Sequence, residues 1–216
     1  TIKATNQDLM VDSQSRERGA YEGDVLINQM SSYSFEDDYS LARFSMEYLE
    51  THRTWPVEYV LYMVNSTWYD YLYTGNKDSM MESYEKLKTN LVDCGADKNI
   101  VDMGDGTTLV TVNHTNVNQW NSVLVDWPVS EHDGYNFSSA WYNTVMNAVT
   151  YGGFVDMAKI ATELGKTDDA KAYQEKADKL KAGMIKYLYN SETGAVRDGL
   201  TKDKQPIDHY AQHATA

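Results

Sequence analysis

Cysteine is nearly absent. Cys94 is the only one in 216 residues, so neither an internal disulfide nor a Cys-pair zinc site can form. Basic residues are in deficit, 19 Lys and Arg against 32 Asp and Glu, for a formal net charge of −13. A field of that sign repels phosphate backbones and argues against a nucleic-acid partner. No run approaches the ~18–20 apolar residues of a spanning helix, and nothing suggests membrane attachment. A Gly-rich phosphate loop and a Gly-x-Ser-x-Gly elbow are missing as well, and no cofactor is implied. No leader-like segment opens the chain, and Thr1 stands where an initiator Met would. The expectation is therefore a processed product or a piece of a longer polypeptide. Compartment and oligomeric state leave no mark in the sequence.

Hydrophobic residues reach 42%, enough for a real core and too many for a disordered chain. Aromatics make up 12%, with 17 Tyr and 5 Trp. Most of these belong in a core, but flat faces with a polar tip also suit sugar rings. Cys94, before Gly95 at the end of a helical pattern, is expected to be a structural thiol. Asn65, Asn113 and Asn136 sit in glycosylation sequons that matter only in a eukaryotic secretory host.

The chain alternates amphipathic helices with Gly-marked turns. Phe35, Tyr39, Ala42, Met46 and Leu49 recur at steps of four and three, with Ser34 as a candidate N-cap. The segment from Val57 to Tyr73 is apolar nearly all round and stops at Gly75, which predicts a buried helix. Met80, Tyr84, Leu87 and Leu91 give the next one, ending at Gly95. Residues 96–135 form an irregular excursion with a short hairpin around "MGDGTTLVTV", closing on "VDWP". Helix resumes over 138–165. A partner capped at Thr167 presents Ala170, Tyr173, Ala177, Leu180 and Leu188, so the pair reads as an αα-hairpin. A last helix is expected near Asp208, cut off at Ala216. The class is all-α. Helical repeats, bundles and α/α toroids all use such pairs, and the lack of a fixed 34-residue period weakens the tetratricopeptide option.

One stretch stands apart, "VDSQSRERGAYEGDVL", Val11 to Leu26. Asp12, Glu17 and Asp24 are spaced five and seven apart, which fits no single helix face, and Gly19 and Gly23 argue for a loop. Carboxylates in a loop can converge, and glycosidic cleavage needs one that stays protonated near neutral pH. Arg16 and Arg18 flank Glu17 and pull the other way. By composition alone a solvated, salt-bridged turn is favoured.

The ordered segments change that weighting. "DSQSRERGAYEGD" resembles the acid motif of the inverting α-L-rhamnosidases, glycoside hydrolase family 78. "TWPVEYVLYMVNSTWYDYLYTGN", "VLVDWP" and "HYAQHATA" resemble later segments of the same catalytic domain, in the same order. The resemblance runs from about Asp8 onward and implies an (α/α)6 barrel, here incomplete, with 1–216 as its N-terminal part. It implies Glu17 as general acid and Asp12, Arg16 and Asp24 as ligands of rhamnose hydroxyls. Tyr21 stands where the family has Trp against the sugar. Asp126 and Trp127 of "VDWP" resemble the family's Asp-Trp segment near the site. The implied substrate is a rhamnose-containing glycoside or polysaccharide, cleaved with inversion. The family's general base lies downstream of "QHATA", which places it beyond residue 216 and leaves the isolated chain with little or no activity. Alternatives are another (α/α)6 glycosidase, or a non-catalytic scaffold that binds a carbohydrate or peptide on a concave face. For Trp55 and Glu58 a core Trp and a surface Glu compete with a pocket role. His209 and His213, four apart, have metal-ligand spacing but no third ligand, so ordinary helix histidines are expected and no metal is implied.

Overall fold

The computed structural model describes residues 2–93, 98–112, 123–125, 129–135 and 139–215. Eight α-helices are described: α1 Ile2–Thr5, α2 Glu22–Tyr33, α3 Ser40–Leu49, α4 Tyr62–Thr74, α5 Asp78–Asp93, α6 Thr144–Glu163, α7 Thr167–Gly183 and α8 Gln212–Thr215. The short strands pair as three antiparallel ribbons: β1 Ile100–Asp102 with β2 Thr108–Val110, β3 Tyr142–Asn143 with β6 Gly199–Leu200, and β4 Tyr189–Asn190 with β5 Ala195–Val196.

Helix contacts sort into two layers. α2 packs on α4, α4 on α6 and α6 on α8, while α3, α5 and α7 lie outside against their predecessors, with α3 also touching α5. This alternation is the arrangement of an α/α-barrel arc, and it follows from connection length. Residues 34–39, 75–77 and 164–166 turn tightly, so each inner helix is antiparallel to the outer one that follows. Gly75 and Gly165, at φ 67° and 70°, supply the left-handed residue in two of these turns. The long connections, 50–61, 94–143 and 184–211, all lead into an inner helix. Their described residues and the 6–21 segment therefore gather at one end, around the N-termini of α2, α4, α6 and α8.

The core lies between the layers. Met46, Leu49, Leu61, Met63, Val64, Met80, Tyr84, Leu87, Leu91, Phe154 and Met157 are all essentially inaccessible. The ribbon of β1 and β2 is bound to this core by Asn147 of α6. Its Oδ1 accepts the Val110 N–H at 2.7 Å and its Nδ2 donates to the Val110 carbonyl at 2.8 Å, closing the edge as a partner strand would. α7 crosses the same ribbon at Gly183, where a Cβ would lie 2.1 Å from the Thr108 oxygen.

Several element boundaries differ from the sequence reading. Phe35 is 54% exposed and Ser34 caps the C-terminus of α2. α3 starts only at Ser40, whose N–H is taken by Asp38 Oδ1 at 2.9 Å. α6 begins at Thr144 rather than 138, capped by Asn143, which accepts the Met146 N–H. Helix α8 begins at Gln212, so His209 precedes it and shares no helix with His213. Cys94, Gly95, Asn113, His114 and Asn136 lie outside the described residues.

Candidate active site

Asp12 closes the loop that carries the charged motif. Its N–H donates to the Gly19 carbonyl at 2.9 Å, and its Oδ1 accepts the Gly19 N–H at 2.9 Å. Residues 13–18 bulge out of this clasp, with Arg18 in left-handed backbone at φ 56°. The chain then enters α2 directly at Glu22, so Gly23 and Asp24 belong to the helix and not to a loop. Both glycines lie under aromatic rings. A Cβ on Gly19 would sit 2.9 Å from Tyr21 Cε2, and one on Gly23 would sit 3.0 Å from the Tyr59 ring.

Three of the motif's four carboxyls, Asp12, Glu17 and Asp24, lie around Tyr21, while the fourth, Glu22, turns to Thr54. The Tyr21 hydroxyl lies beside the Glu17 carboxylate. Burial, that contact, and the charges of Glu17, Asp12 and Asp24 together hold the phenol above its usual range. Asp24 also binds its proton more tightly than an ordinary aspartate, first because it is buried and then because Asp12 and Glu17 repel its charge. Arg16 reaches Glu17 at 3.1 Å, with the Glu17 side chain 41% exposed. The structure thus brings Asp12, Arg16, Glu17, Tyr21 and Asp24 together. Asp126 and Trp127 lie outside the described residues.

Behind this cluster the loops entering the inner helices are tied by buried acids. Glu22 is inaccessible and accepts the Thr54 N–H at 2.8 Å, while the Thr54 hydroxyl donates to its other oxygen. Glu58 is not the surface residue expected. It is 1% exposed, and its Oε1 accepts the N–H groups of Leu124 at 2.6 Å and Val125 at 3.0 Å. Its Oε2 is buried with no hydrogen-bond partner among the described residues. Desolvation outweighs both hydrogen bonds and raises this carboxyl to about 7, with Glu22 adding repulsion. Tyr62, whose phenol is pushed up to about 12 by burial and then by Glu58, packs beside it at 5.5 Å from the Tyr59 ring. Trp55 is only half-buried. Glu58 is therefore the anchor of the segment that leads into "VDWP". Its only sequence signal is its place at the start of the Val57–Tyr73 segment, which is apolar nearly all round.

A second anchor was not foreseen. Asp198, wholly buried, accepts the Ala211 N–H at 2.8 Å through Oδ1 and holds His209 Nδ1 at 2.7 Å through Oδ2. This fixes the imidazole with Nε2 turned toward Gly134, where a Cβ would lie 2.8 Å away. Asp133 accepts the Gln212 N–H at 2.7 Å from the same turn. Among the described residues no group of three His, Cys, Asp or Glu could hold a metal ion, and no helix is long and apolar enough to cross a membrane.

The profile of the mannosylglycerate hydrolase MGH1-like glycoside hydrolase domain matches residues 45–215. The chain belongs to that family. The matched span takes in Glu58, Asp198 and His209 and stops short of the Asp12–Asp24 motif. No curated protein matches the sequence. Among solved structures, the family 78 rhamnosidase of Bacillus sp. GL1 superposes with a TM-score of 0.75 at 15% identity, over 97% of this chain and 22% of that one. A rhamnosidase from Klebsiella oxytoca with rhamnose bound gives 0.75 at 14% identity, over 99% of this chain and 40% of that one. The glycoside hydrolase domain thus has the α/α-barrel fold of the family 78 rhamnosidases, including the Asp12–Asp24 segment, and spans less than half the length of either neighbour.

Proposed function

We propose that the protein is an inverting glycoside hydrolase that releases terminal α-L-rhamnose from a glycoside or polysaccharide, with Glu17 as the general acid. The observation that carries this reading is the convergence of Glu17, Asp12 and Asp24 on the Tyr21 phenol at the end of the domain where the long connections gather. A solvated charge run would leave these groups apart. The rhamnose-bound Klebsiella neighbour supports the choice of sugar.

In the free protein Arg16 pairs with Glu17 at 3.1 Å. A general acid must hold a proton when the glycosidic oxygen arrives. A sugar ring laid on Tyr21 strips water from Glu17, which costs the anion more than the acid. Arg16 is then released to a sugar hydroxyl, as are the acceptors on Asp12 and Asp24. Asp126 and Trp127 are proposed as further ligands of the sugar; they follow Leu124 and Val125, which Glu58 holds. Inversion needs a second carboxylate ~6.5–9.5 Å from the acid, activating water on the opposite ring face. We assign it, with the rest of the barrel, to sequence that follows residue 216, residues 1–216 being the acid-bearing part of one catalytic domain.

The test is Glu17→Gln in the catalytically competent protein, assayed on an aryl α-L-rhamnoside beside an aryl α-mannoside and mannosylglycerate. Loss of an acid catalyst lowers kcat by roughly 10²–10⁴-fold with the circular dichroism spectrum unchanged. Near-normal turnover by the variant refutes the assignment of Glu17. Turnover of mannosylglycerate with none of the rhamnoside refutes the choice of sugar, and turnover of nothing by the wild type favours a carbohydrate-binding scaffold.

A further inference from the structure

The 184–211 connection shapes a pocket of 340 Å³ beside the β4–β5 hairpin, within the ~300–1,000 Å³ typical of small-molecule sites. Its lysine at position 186 is spoken for. Lys186 pairs with Asp105, and the Tyr187 hydroxyl donates to the same carboxylate at 2.7 Å, which fixes the Tyr187 ring in the pocket wall. Arg197 is held differently. Its guanidinium carbon lies 5.5 Å from the centre of the Tyr210 ring, and the Tyr210 hydroxyl is fixed by Asn190 Nδ2 at 2.7 Å. No ion pair among the described residues involves Arg197 or Lys204, although both line the pocket. The Arg197 Nε is buried and has no hydrogen-bond partner among them.

In a chain with 32 acidic residues against 19 basic ones, a clamped arginine left without a carboxylate is a vacancy for one. The planar guanidinium fork matches a carboxylate in bidentate fashion, and Lys204 adds a second charge. Tyr187 and Tyr189, the latter 44% exposed, offer flat apolar faces to the C–H side of a sugar ring. Glu192 on the same lining opposes a dianion such as phosphate more than a monoanion. We propose that this pocket is a second carbohydrate-binding site, selective for a sugar that carries a carboxylate, of the hexuronate class. The Arg197 carbonyl accepts the Thr144 hydroxyl, so Arg197 lies at the start of α6. The proposal stands on the pocket alone and does not depend on the hydrolytic reading.

Isothermal titration calorimetry with sodium glucuronate tests it, with glucose and inorganic phosphate as probes of the sugar and the charge alone. Glucuronate binds, glucose at equal concentration gives no heat, and phosphate binds at least about tenfold more weakly. Arg197→Gln lowers affinity by about tenfold and Lys204→Gln by roughly threefold, reflecting a bidentate and a screened contact. Lys204 is exposed, so its variant gives the result even where Arg197→Gln fails to fold. The proposal is overturned by absent glucuronate binding, by glucose or phosphate binding as well as glucuronate, or by undiminished affinity in folded Arg197→Gln or in Lys204→Gln. Abolition of binding by Glu17→Gln would overturn it too, since that places the ligand in the other cluster.

Discussion

Glu58 gives the sharpest test of how the site is held. In the folded protein its carboxyl is raised from 4.5 to about 7, chiefly by burial. The native state therefore binds a proton that the unfolded chain releases between those values. Stability contributed by this group is complete below about pH 4.5 and is lost as pH rises through about 7, a total of about 3 kcal/mol at 1.36 kcal/mol per unit. Glu58→Gln retains an acceptor for the Leu124 and Val125 N–H groups but never ionises. At pH 5 it should match the wild type within about 1 kcal/mol, since a protonated carboxyl and an amide face the same surroundings. At pH 8 it should be the more stable by about 3 kcal/mol, or roughly 6–12 °C in Tm for a domain of this size. Glu58→Ala removes the acceptor and should be less stable at both pH values, by about 1–3 kcal/mol for each N–H stranded. Glu50 is also buried and also raised to about 7, so the stability of the Glu58→Gln protein still falls with pH, only less steeply than that of the wild type. Urea unfolding of the three proteins at pH 5 and pH 8 reads these differences directly. A Glu58→Gln difference that does not change with pH would refute the claim that burial dominates this carboxyl, and an Ala variant as stable as the Gln variant would refute its role as an acceptor.

Two further outcomes separate stability from activity. Gly183→Ala forces a methyl to within 2.1 Å of the Thr108 oxygen, so α7 and the β1–β2 ribbon must part, and thermal unfolding should show a loss of about 1–3 kcal/mol or more. Gly19→Ala meets only the edge of the Tyr21 ring, at 2.9 Å. It should leave Tm within a few degrees while displacing Tyr21 from Glu17 and cutting kcat/KM on the rhamnoside by at least about tenfold; wild-type kinetics would show that the ring's position does not matter.

Much of the fold was legible because it is governed by local pattern. Met80, Tyr84, Leu87 and Leu91 repeat at helical spacing, and all four are buried in α5. Gly75 ends α4 because it alone tolerates the left-handed turn. The Gly104–Gly106 stretch gave the β1–β2 hairpin in the same way. The misreadings come from residues whose partners are distant. Gly23 looks like a breaker, yet it is helical, small because Tyr59 lies on it. Glu58 falls in the segment expected to be helical from Val57, yet α4 starts only at Tyr62, and the burial of Glu58 is decided by N–H groups 66 and 67 residues away. His209 and His213 share helical spacing, but Asp198 takes the Ala211 N–H and the His209 ring, so the helix starts only at Gln212.

The legible and illegible parts divide along the domain itself. Of the short turns between paired helices, at one end, 75–77 and 164–166 need only a left-handed glycine and sequence pattern suffices for them, while 34–39 has no glycine and its helix boundaries were misplaced. At the other end the long connections have little regular structure of their own, so their backbone groups must be satisfied by side chains from elsewhere. Glu22, Glu58, Asn147 and Asp198 do this, each buried and each accepting N–H groups or clasping a neighbouring connection. Burying four such polar groups is costly unless every loop is in register. That cost gives the end its rigidity. Asp24, in α2, is held near Asp12 and Glu17 despite their repulsion of its charge because the preceding loop is clasped at Asp12–Gly19 and abuts this network through Glu22. The charged motif and the buried acids are thus one device: the second group supplies the order that lets the first remain strained in charge.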